Sequence, residues 1–378
     1  MNILRTISRI IVGLVFIFSG IVKAIDPMGS AYKFHDYFQA FNLQFLDFLS
    51  LPLAILLCTA EFIAGFSVLT GLKQKTGIWL VMILMIIFTP LTLVLAITNP
   101  VSDCGCFGDA IVLTNWETFA KNIVLLVFTL ILFNSRNKSG SVLKSSKEWI
   151  GLTSAIVLFV LFSVYNLIYL PLIDFLPYKT GTKIEDKMII PEGVAPDEYE
   201  TTFIYEKNGV KKEFSLNDYP ANDSSWIFVD QKSVLLKKGY VPPIHDFNFT
   251  AMNGEDITQK ILTYPGYSLL MISKKLEDTR NGQLEEGFNT GSFCMKKGIY
   301  FYVITASGSE KARSYGDGFI FCSGDETTLK TMIRSNPGYI LLKDGTIMEK
   351  WSWANLPDFE YFEKLVLESS GDLNIKLD

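Results

Sequence analysis

Leu51-Pro-Leu-Ala-Ile-Leu-Leu-Cys-Thr-Ala-Glu-Phe-Ile-Ala-Gly-Phe-Ser-Val-Leu69 is apolar at almost every position and carries one carboxylate, Glu61, near its middle. A hydrocarbon core of about 30 Å takes roughly 20 helical residues, and backbone groups inside it must be satisfied within the chain, so this run reads as a transmembrane helix. Four more runs have the same character: Ile7 to Ile25, Gly77 to Ile97, Phe119 to Phe133 and Trp149 to Leu170. The fourth in chain order is short and is expected to extend back to Trp116, because Thr114 and Glu117 form a capping-box pattern. Pro27 and Pro100 stop helices, and Pro90 predicts a kink inside the third. The first run exceeds the roughly 7 to 15 residues of a signal-peptide core, so it is expected to stay as a helix.

Over all 378 residues the chain is 49% hydrophobic and 19% charged, too apolar for a soluble protein and too charged for a purely membrane one. Up to Ile173 there are 11 Lys+Arg against 8 Asp+Glu, and beyond it 23 against 31. An acidic second half lacks the clustered cations that nucleic acid requires, so nucleic acid is excluded as a partner and the lipid bilayer is implied. Arg5, Arg9, Lys73, Lys75, Arg136, Lys138, Lys144 and Lys147 all fall on one side of the helices, with Lys33 on the other. The positive-inside rule then puts the amino terminus in the cytoplasm, and residues 26–50, 98–116 and everything after Ile173 outside.

Two of the five cysteines sit in Asp103-Cys-Gly-Cys-Phe-Gly-Asp109, in an outer loop where the compartment is oxidising. Residues two apart can bring their Cα atoms into the window of about 4.4 to 6.8 Å that a disulfide needs, and Gly105 relaxes the backbone between them. So small a ring is expected to be readily reduced and suited to exchange. A structural turn bridge, two idle thiols and a soft-metal thiolate site are the alternatives. The metal reading is weakened by the presence of only two histidines, His35 and His245, neither beside another ligand.

An ionisable group at mid-helix is costly, and Glu61 is expected either to mark a functional path or to lock two helices as a hydrogen-bonded carboxyl. Lys23, near the outer end of the first helix, is its basic candidate, unless it snorkels to the headgroups. Cys58 shares a face with Glu61 and reads as an ordinary buried thiol.

Phe18-Ser-Gly-Ile-Val-Lys23, Ala60-Glu61 with Gly65, the Thr70-Gly71 turn and Cys104-Gly-Cys-Phe-Gly108 before a capped helix together resemble the DoxX/MauE group of four-helix membrane proteins, over roughly residues 5 to 135. MauE-like members are associated with disulfide formation in exported proteins beside a thioredoxin-like partner. The resemblance therefore implies a redox role for Cys104 and Cys106, and characteristic polar positions for Glu61 and Lys23.

Beyond the fifth helix, Thr201 to Glu206 and Val210 to Ser215 flank Asn208-Gly209, a hairpin signal, and Trp226 to Asp230 with Ser233 to Lys237 suggest a second pair. After Pro242-Pro243 the order is a strand at 245–249, a strand at 267–273, a helix at about 283–297, strands at 299–306 and 319–322, a helix at 325–334, a hairpin turning at Asp344-Gly345 and a last helix from Pro357. That alternation indicates an α/β layer around one sheet. With His245-Asp-Phe-Asn-Phe249, Asn336-Pro337 and Gly338 to Thr346, it resembles the thioredoxin fold, in its peroxiredoxin- and TlpA-like branches. The resemblance puts a cis-proline at Pro337 and a peptide-docking surface at Asn336 and Pro337. The place of the Cys-x-x-Cys motif holds Ser273-Lys-Lys-Leu276, so the usual dithiol exchange is not expected there. Cys294 and Cys322 lie elsewhere, as buried thiols, as a second thiol pair or as redox partners of the loop.

The expected architecture is an α-helical membrane bundle of four helices plus a tethering fifth, followed by an α/β thioredoxin-like domain with a small β insertion module. Its divisions are 1–135 for the bundle, 136–173 for a cytoplasmic loop and the fifth helix, 174–240 for the β module and 241–378 for the thioredoxin-like domain. The expected function is thiol–disulfide exchange in a bacterial inner membrane, with Cys104 or Cys106 attacking, its neighbour resolving, and the outer domain periplasmic. Exported proteins or another thiol-redox protein are the partners. Electrons would pass to a quinone or to another thiol protein, and no cofactor motif chooses between them. The reading from another class is a non-catalytic assembly or client-binding protein.

Overall fold

The computed structural model describes residues 2–375 apart from 102, 139–144, 208, 216–217, 219, 221–222, 224, 238 and 317. Lys144 of the charge count and Asn208 of the hairpin signal lie outside the described residues. The first half folds as α1 (Asn2–Ile25), α2 (Pro27–Ala40), α3 (Ser50–Thr70), α4 (Gln74–Thr98), α5 (Asn115–Asn134) and α6 (Ser145–Tyr169). All but α2 are long and apolar enough to cross a membrane.

Residues 26–50, read from sequence as a connection between spanning helices, are largely helical. The Asp26 carboxylate accepts from the Gly29 N–H at 2.8 Å, and Pro27 occupies the first turn, where its missing N–H costs nothing. One proline thus ends α1 and opens α2. The Thr114/Glu117 capping box opens α5 as expected, and α4 runs through Pro90 to Thr98. α1 and α3 meet backbone to backbone. A Cβ on Gly20 would lie 2.8 Å from the Cys58 carbonyl oxygen, and one on Gly65 would lie 2.6 Å from the Gly13 carbonyl oxygen. Such small-residue contacts replace the hydrophobic drive that lipid removes. α6 joins the bundle through Phe159, stacked on Phe62 at 4.1 Å, and Ser163, whose Oγ is 3.6 Å from the Cys58 sulfur. Cys58 is a free buried thiol.

Beyond α6 come α7 (Ile184–Met188), β1 (Glu198–Lys207), β2 (Val210–Ser215) and β3 (Ile227–Lys237), the strands forming an antiparallel sheet in the order β2-β1-β3. The expected second hairpin is absent: β3 runs unbroken through Gln231 and Lys232 along β1. Neither residue has the freedom at positive φ that a tight hairpin turn demands. Tyr178 and Ile184, placed by sequence with this module, are buried in the core of the larger sheet, and Thr182 and Ile184 exchange backbone hydrogen bonds with its edge at Ile347 and Gly345.

The larger sheet is built from β4 (Thr250–Ala251), α8 (Thr258–Thr263), β5 (Tyr267–Ile272), α9 (Asn281–Lys296), β6 (Tyr300–Thr305), α10 (Ser309–Arg313), β7 (Ile320–Ser323), α11 (Glu326–Met332), β8 (Gly338–Lys343), β9 (Thr346–Ser352) and α12 (Phe359–Ile375). Strand order is β4-β7-β6-β5-β8-β9, with β5, β6 and β7 parallel, β8 antiparallel to β5, and β9 antiparallel to β8. The strand expected over 245–249 is a correction. Its Phe247 and Phe249 are buried, but the Asn248 N–H turns back on the Asp246 carbonyl, and pairing with β7 begins only at Thr250. Successive strand residues serve opposite faces. Leu270, Ile272, Tyr302 and Ile304 pack with α8 and α11, while Leu269, Met271, Phe301 and Val303 pack with α9 and α12. A βαβ unit followed by a hairpin and a helix, entered through a cis Asn336–Pro337 bond, gives this domain its thioredoxin-like architecture.

Candidate functional site

Ser19 and Lys23 lie one turn apart on α1, so both side chains face the same neighbour. Lys23 Nζ is 2.8 Å from Glu61 Oε2 on α3 and donates also to Ser19 Oγ at 2.7 Å and to the Cys106 carbonyl oxygen. An ammonium has three N–H donors, and here all three have acceptors. Lys23 is 5% exposed and Glu61 3%, so the two charges are removed from solvent together and offset each other's desolvation. The glutamate is engaged by Lys23, whose side chain turns into the bundle and does not snorkel.

The carbonyl of Cys106 also lies 2.8 Å from Ser19 Oγ. Ser19 is six residues inside the end of α1, about 9 Å at 1.5 Å per residue, so the loop folds back into the mouth of the bundle. Irregular backbone is tolerated at such depth where its polar groups are satisfied by protein, as the Cys106 carbonyl is. The rest of the loop is held from α2. Tyr37 Oη donates to the Cys104 carbonyl at 2.6 Å, Lys33 pairs with Asp103 at 2.7 Å, and Asp103 accepts from the Gly105 N–H at 2.9 Å. Gly105 has φ +63°, and a Cβ there would lie 2.9 Å from Lys33 Cγ, so both conformation and space call for glycine.

Cys104 and Cys106 are joined by a disulfide with their Cα atoms 5.5 Å apart. Below it is a cavity of about 120 Å³ lined by α1, α3, α4 and α5 and roofed by α2 and the loop, with both cysteines on its wall. Lys121 of α5 also lines it, its Nζ 4.4 Å from the Phe107 ring centroid.

The thioredoxin-like domain sits against this loop. Arg334 pairs with Asp109, at the end of the loop motif, at 2.5 Å and with Asp26, the cap of α2, at 2.8 Å. Lys274, in the stretch that replaces the Cys-x-x-Cys motif, donates to Tyr32 Oη at 2.9 Å and to the Arg334 carbonyl at 3.1 Å. Burial pulls the Lys274 ammonium down to about 7, and the charges of Arg334 and Lys330 push the same way. Asn336 is used inside its own domain, accepting from the Lys274 N–H at 2.8 Å and donating to Thr279 Oγ1 at 3.1 Å.

Of the residues singled out in sequence, Lys23, Glu61, Cys104, Gly105 and Cys106 converge on one site. Asn336 and Pro337 lie beside Arg334 in the outer domain. Cys294 and Cys322 do not form a pair: both are free and buried, Cys294 in the core on the α9 and α12 face and Cys322 in the core on the opposite face. Burial pushes each thiol up to about 12. Sequence reasoning missed Ser19, Tyr37, Tyr32, Lys121 and Arg334. A signal existed for Lys33, which the charge count sets apart from the other cations near the helix ends, and for Asp103 and Asp109, which bracket the cysteines.

Fold and site together describe a membrane-embedded helical bundle, with a disulfide at its mouth, joined to a thioredoxin-like domain. Residues 1–135 match the family described as methylamine utilisation protein MauE, and residues 199–238 match a domain of unknown function, DUF8463. No curated protein matches the chain. Among solved structures, the chain is similar to a solution structure named provisionally as a protein disulfide isomerase from Bacteroides thetaiotaomicron. Identity is 18%, coverage is 33% of this chain and 84% of that one, and the TM-score is 0.26. At that score the likeness carries no weight, and the fold of the outer domain rests on its own strand order.

Proposed function

We propose that this is a thiol–disulfide redox protein of a bacterial inner membrane that supports disulfide formation or exchange in exported proteins. In this reading the amino terminus is cytoplasmic and the outer domain periplasmic. The observation that carries it is the Cys104–Cys106 disulfide, whose Cys106 carbonyl accepts from Lys23, itself paired with the buried Glu61. The match of residues 1–135 to MauE supports the same reading. A client thiolate attacks one loop sulfur, the S–S bond breaks, and a mixed disulfide forms. A second client thiolate displaces the loop sulfur, leaving a client disulfide and two loop thiols, with two electrons passed to the loop. The cations nearby, Lys23, Lys33 and Lys121, favour the thiolate that leaves.

Thiol trapping in intact spheroplasts with an impermeant maleimide tests chemistry and sidedness at once. Cys104 and Cys106 should be unreactive in the oxidised state, label from outside after brief reduction, and return to the oxidised state in growing cells. Labelling only after cell breakage would overturn the topology. A pair whose redox state never changes would favour the non-catalytic client-binding alternative, in which the loop bridge is structural.

A further inference from the structure

We propose that the cavity beneath the disulfide loop binds the ring of a membrane quinone, which takes the electron pair from the loop dithiol. This rests on the redox reading above, since a loop that delivers disulfides must be reoxidised.

The cavity's volume of about 120 Å³ is close to the roughly 150 Å³ apolar cavity that accommodates a benzene ring. Its walls include Phe16, Leu57, Met85, Phe88 and Leu95, which suit a flat apolar ring, and both loop cysteines form part of its surface. A quinone needs hydrogen-bond donors at its carbonyl oxygens. Lys121 supplies one: it lines the cavity, Glu61 is occupied by Lys23, and among the described residues no carboxylate lies within ion-pair distance of Lys121. Asn122 lies beside it, its amide held by donation to Thr92 Oγ1 at 3.1 Å. An unpaired cation in an apolar bundle is expensive, and partial or full negative charge on a quinone oxygen compensates it. The approach to the loop from the thioredoxin-like domain is occupied by Arg334 and α2, whereas the cavity is walled by α1, α3, α4 and α5, helices apolar enough to lie in lipid, where a lipid-soluble oxidant dissolves.

The step balances. Two S–H bonds break, the Cys104–Cys106 S–S bond forms, and two electrons and two protons pass to the two ring oxygens, giving the quinol.

The full chain, purified in detergent, is reduced with dithiothreitol, desalted without oxygen and mixed with menadione. Quinone absorbance and acid-quenched alkylation are then followed, with oxidised glutathione as a separate oxidant. Menadione should be consumed saturably, one per chain, as the loop disulfide returns. Lys121→Met should need about tenfold more menadione for half-maximal rate, the loss expected for one charged hydrogen bond, while Lys121→Arg should stay near wild type. Should Lys121→Met not fold, Leu91→Trp, which fills the cavity from a partly exposed wall, should raise the menadione requirement instead. A wild-type pair that glutathione oxidises but menadione does not would sink the quinone site and leave the redox reading intact. An unchanged menadione requirement in every folded variant would sink the cavity as its place. A reduced pair that neither oxidant converts would sink the redox reading itself.

Discussion

Arg334 and Asp109 lie 2.5 Å apart across the junction between the outer domain and the loop that carries the disulfide. The same guanidinium holds Asp26 at 2.8 Å, with the Arg334 and Asp26 side chains 8% and 7% exposed. One side chain of the outer domain therefore holds both the end of the loop and the cap of α2. A fork of planar donors suits two carboxylates in a way a lysine ammonium does not.

Removing Arg334 should undock the domain without unfolding it. Breaking a buried pair from one side costs about 3–5 kcal/mol, because Asp26 is left buried without its cation. Arg334→Ala should raise hydrogen exchange across residues 26–40 and 103–111 while protection of β5, β6 and β8 is unchanged. Exchange that stays slow at both α2 and the loop would show that the contact holds nothing in place.

Docking should also depend on pH through Lys274. Its ammonium is lowered from the ordinary 10.5 to about 7 in the docked state, by burial first and then by Arg334 and Lys330, with Asp26 and Glu326 opposing. Undocking removes the part of this burial that α2 supplies, so the undocked state holds its proton to higher pH than the docked one, and docking strengthens as pH rises above about 7 and is weakest below it. Hydrogen exchange of the α2 contact at pH 6 should exceed that at pH 9, after correction for intrinsic rates. Lys274→Met should flatten the difference, and an equal difference in that variant would assign it to another group.

The Lys23–Glu61 pair should tolerate joint replacement better than single replacement. Glu61→Gln leaves a buried ammonium with one charged acceptor removed, at about 3–5 kcal/mol, whereas a well-packed apolar pair is often neutral. In detergent, Lys23→Met with Glu61→Leu should melt at a higher temperature than Glu61→Gln alone, yet both should lose reoxidation of the loop. Full activity in Glu61→Gln would reduce the carboxylate to a helix lock.

Cys294 and Cys322 should be silent. With each thiol raised from the ordinary 9.0 to about 12, the reactive thiolate is scarce at neutral pH. Replacing both by Ser should preserve loop turnover, and maleimide should reach them only in denaturant. Because the folded state holds these protons longer than the unfolded one, their contribution to stability is complete below pH 9 and is lost as pH climbs toward about 12. Turnover that vanishes in the double variant would place the active thiols in the outer domain.

The spanning helices were legible because lipid leaves a chain few ways to satisfy its backbone, and apolar runs of 19 to 22 residues, with one of 15 extended by its capping box, say so directly. The helix α2 was not, since Tyr32, Lys33, His35 and Asp36 interrupt any apolar stripe; only Asp26-Pro27 announced it. β3 was cut in two because Asp230, Gln231 and Lys232 look like a polar turn, although none is Gly, Pro or Asn. Glu61 and the loop cysteines stood out by chemistry alone. Their meeting with Lys23, and the docking of Arg334 on residues 225 and 308 positions away, depend on how two domains come to rest together, which no local pattern encodes.

Because α6 is joined to the thioredoxin-like domain through the connection after Tyr169, the surface around Lys274 meets the loop as a tethered partner rather than a diffusing one. For a short connection the local concentration of such a partner is on the order of millimolar. A separate thiol protein present at micromolar levels would have to bind the loop about a thousandfold more tightly to displace it by mass action. Access to the disulfide is then timed by the spontaneous lifting of the tethered domain, so the rate at which clients are served should level off at the opening rate instead of rising with client abundance.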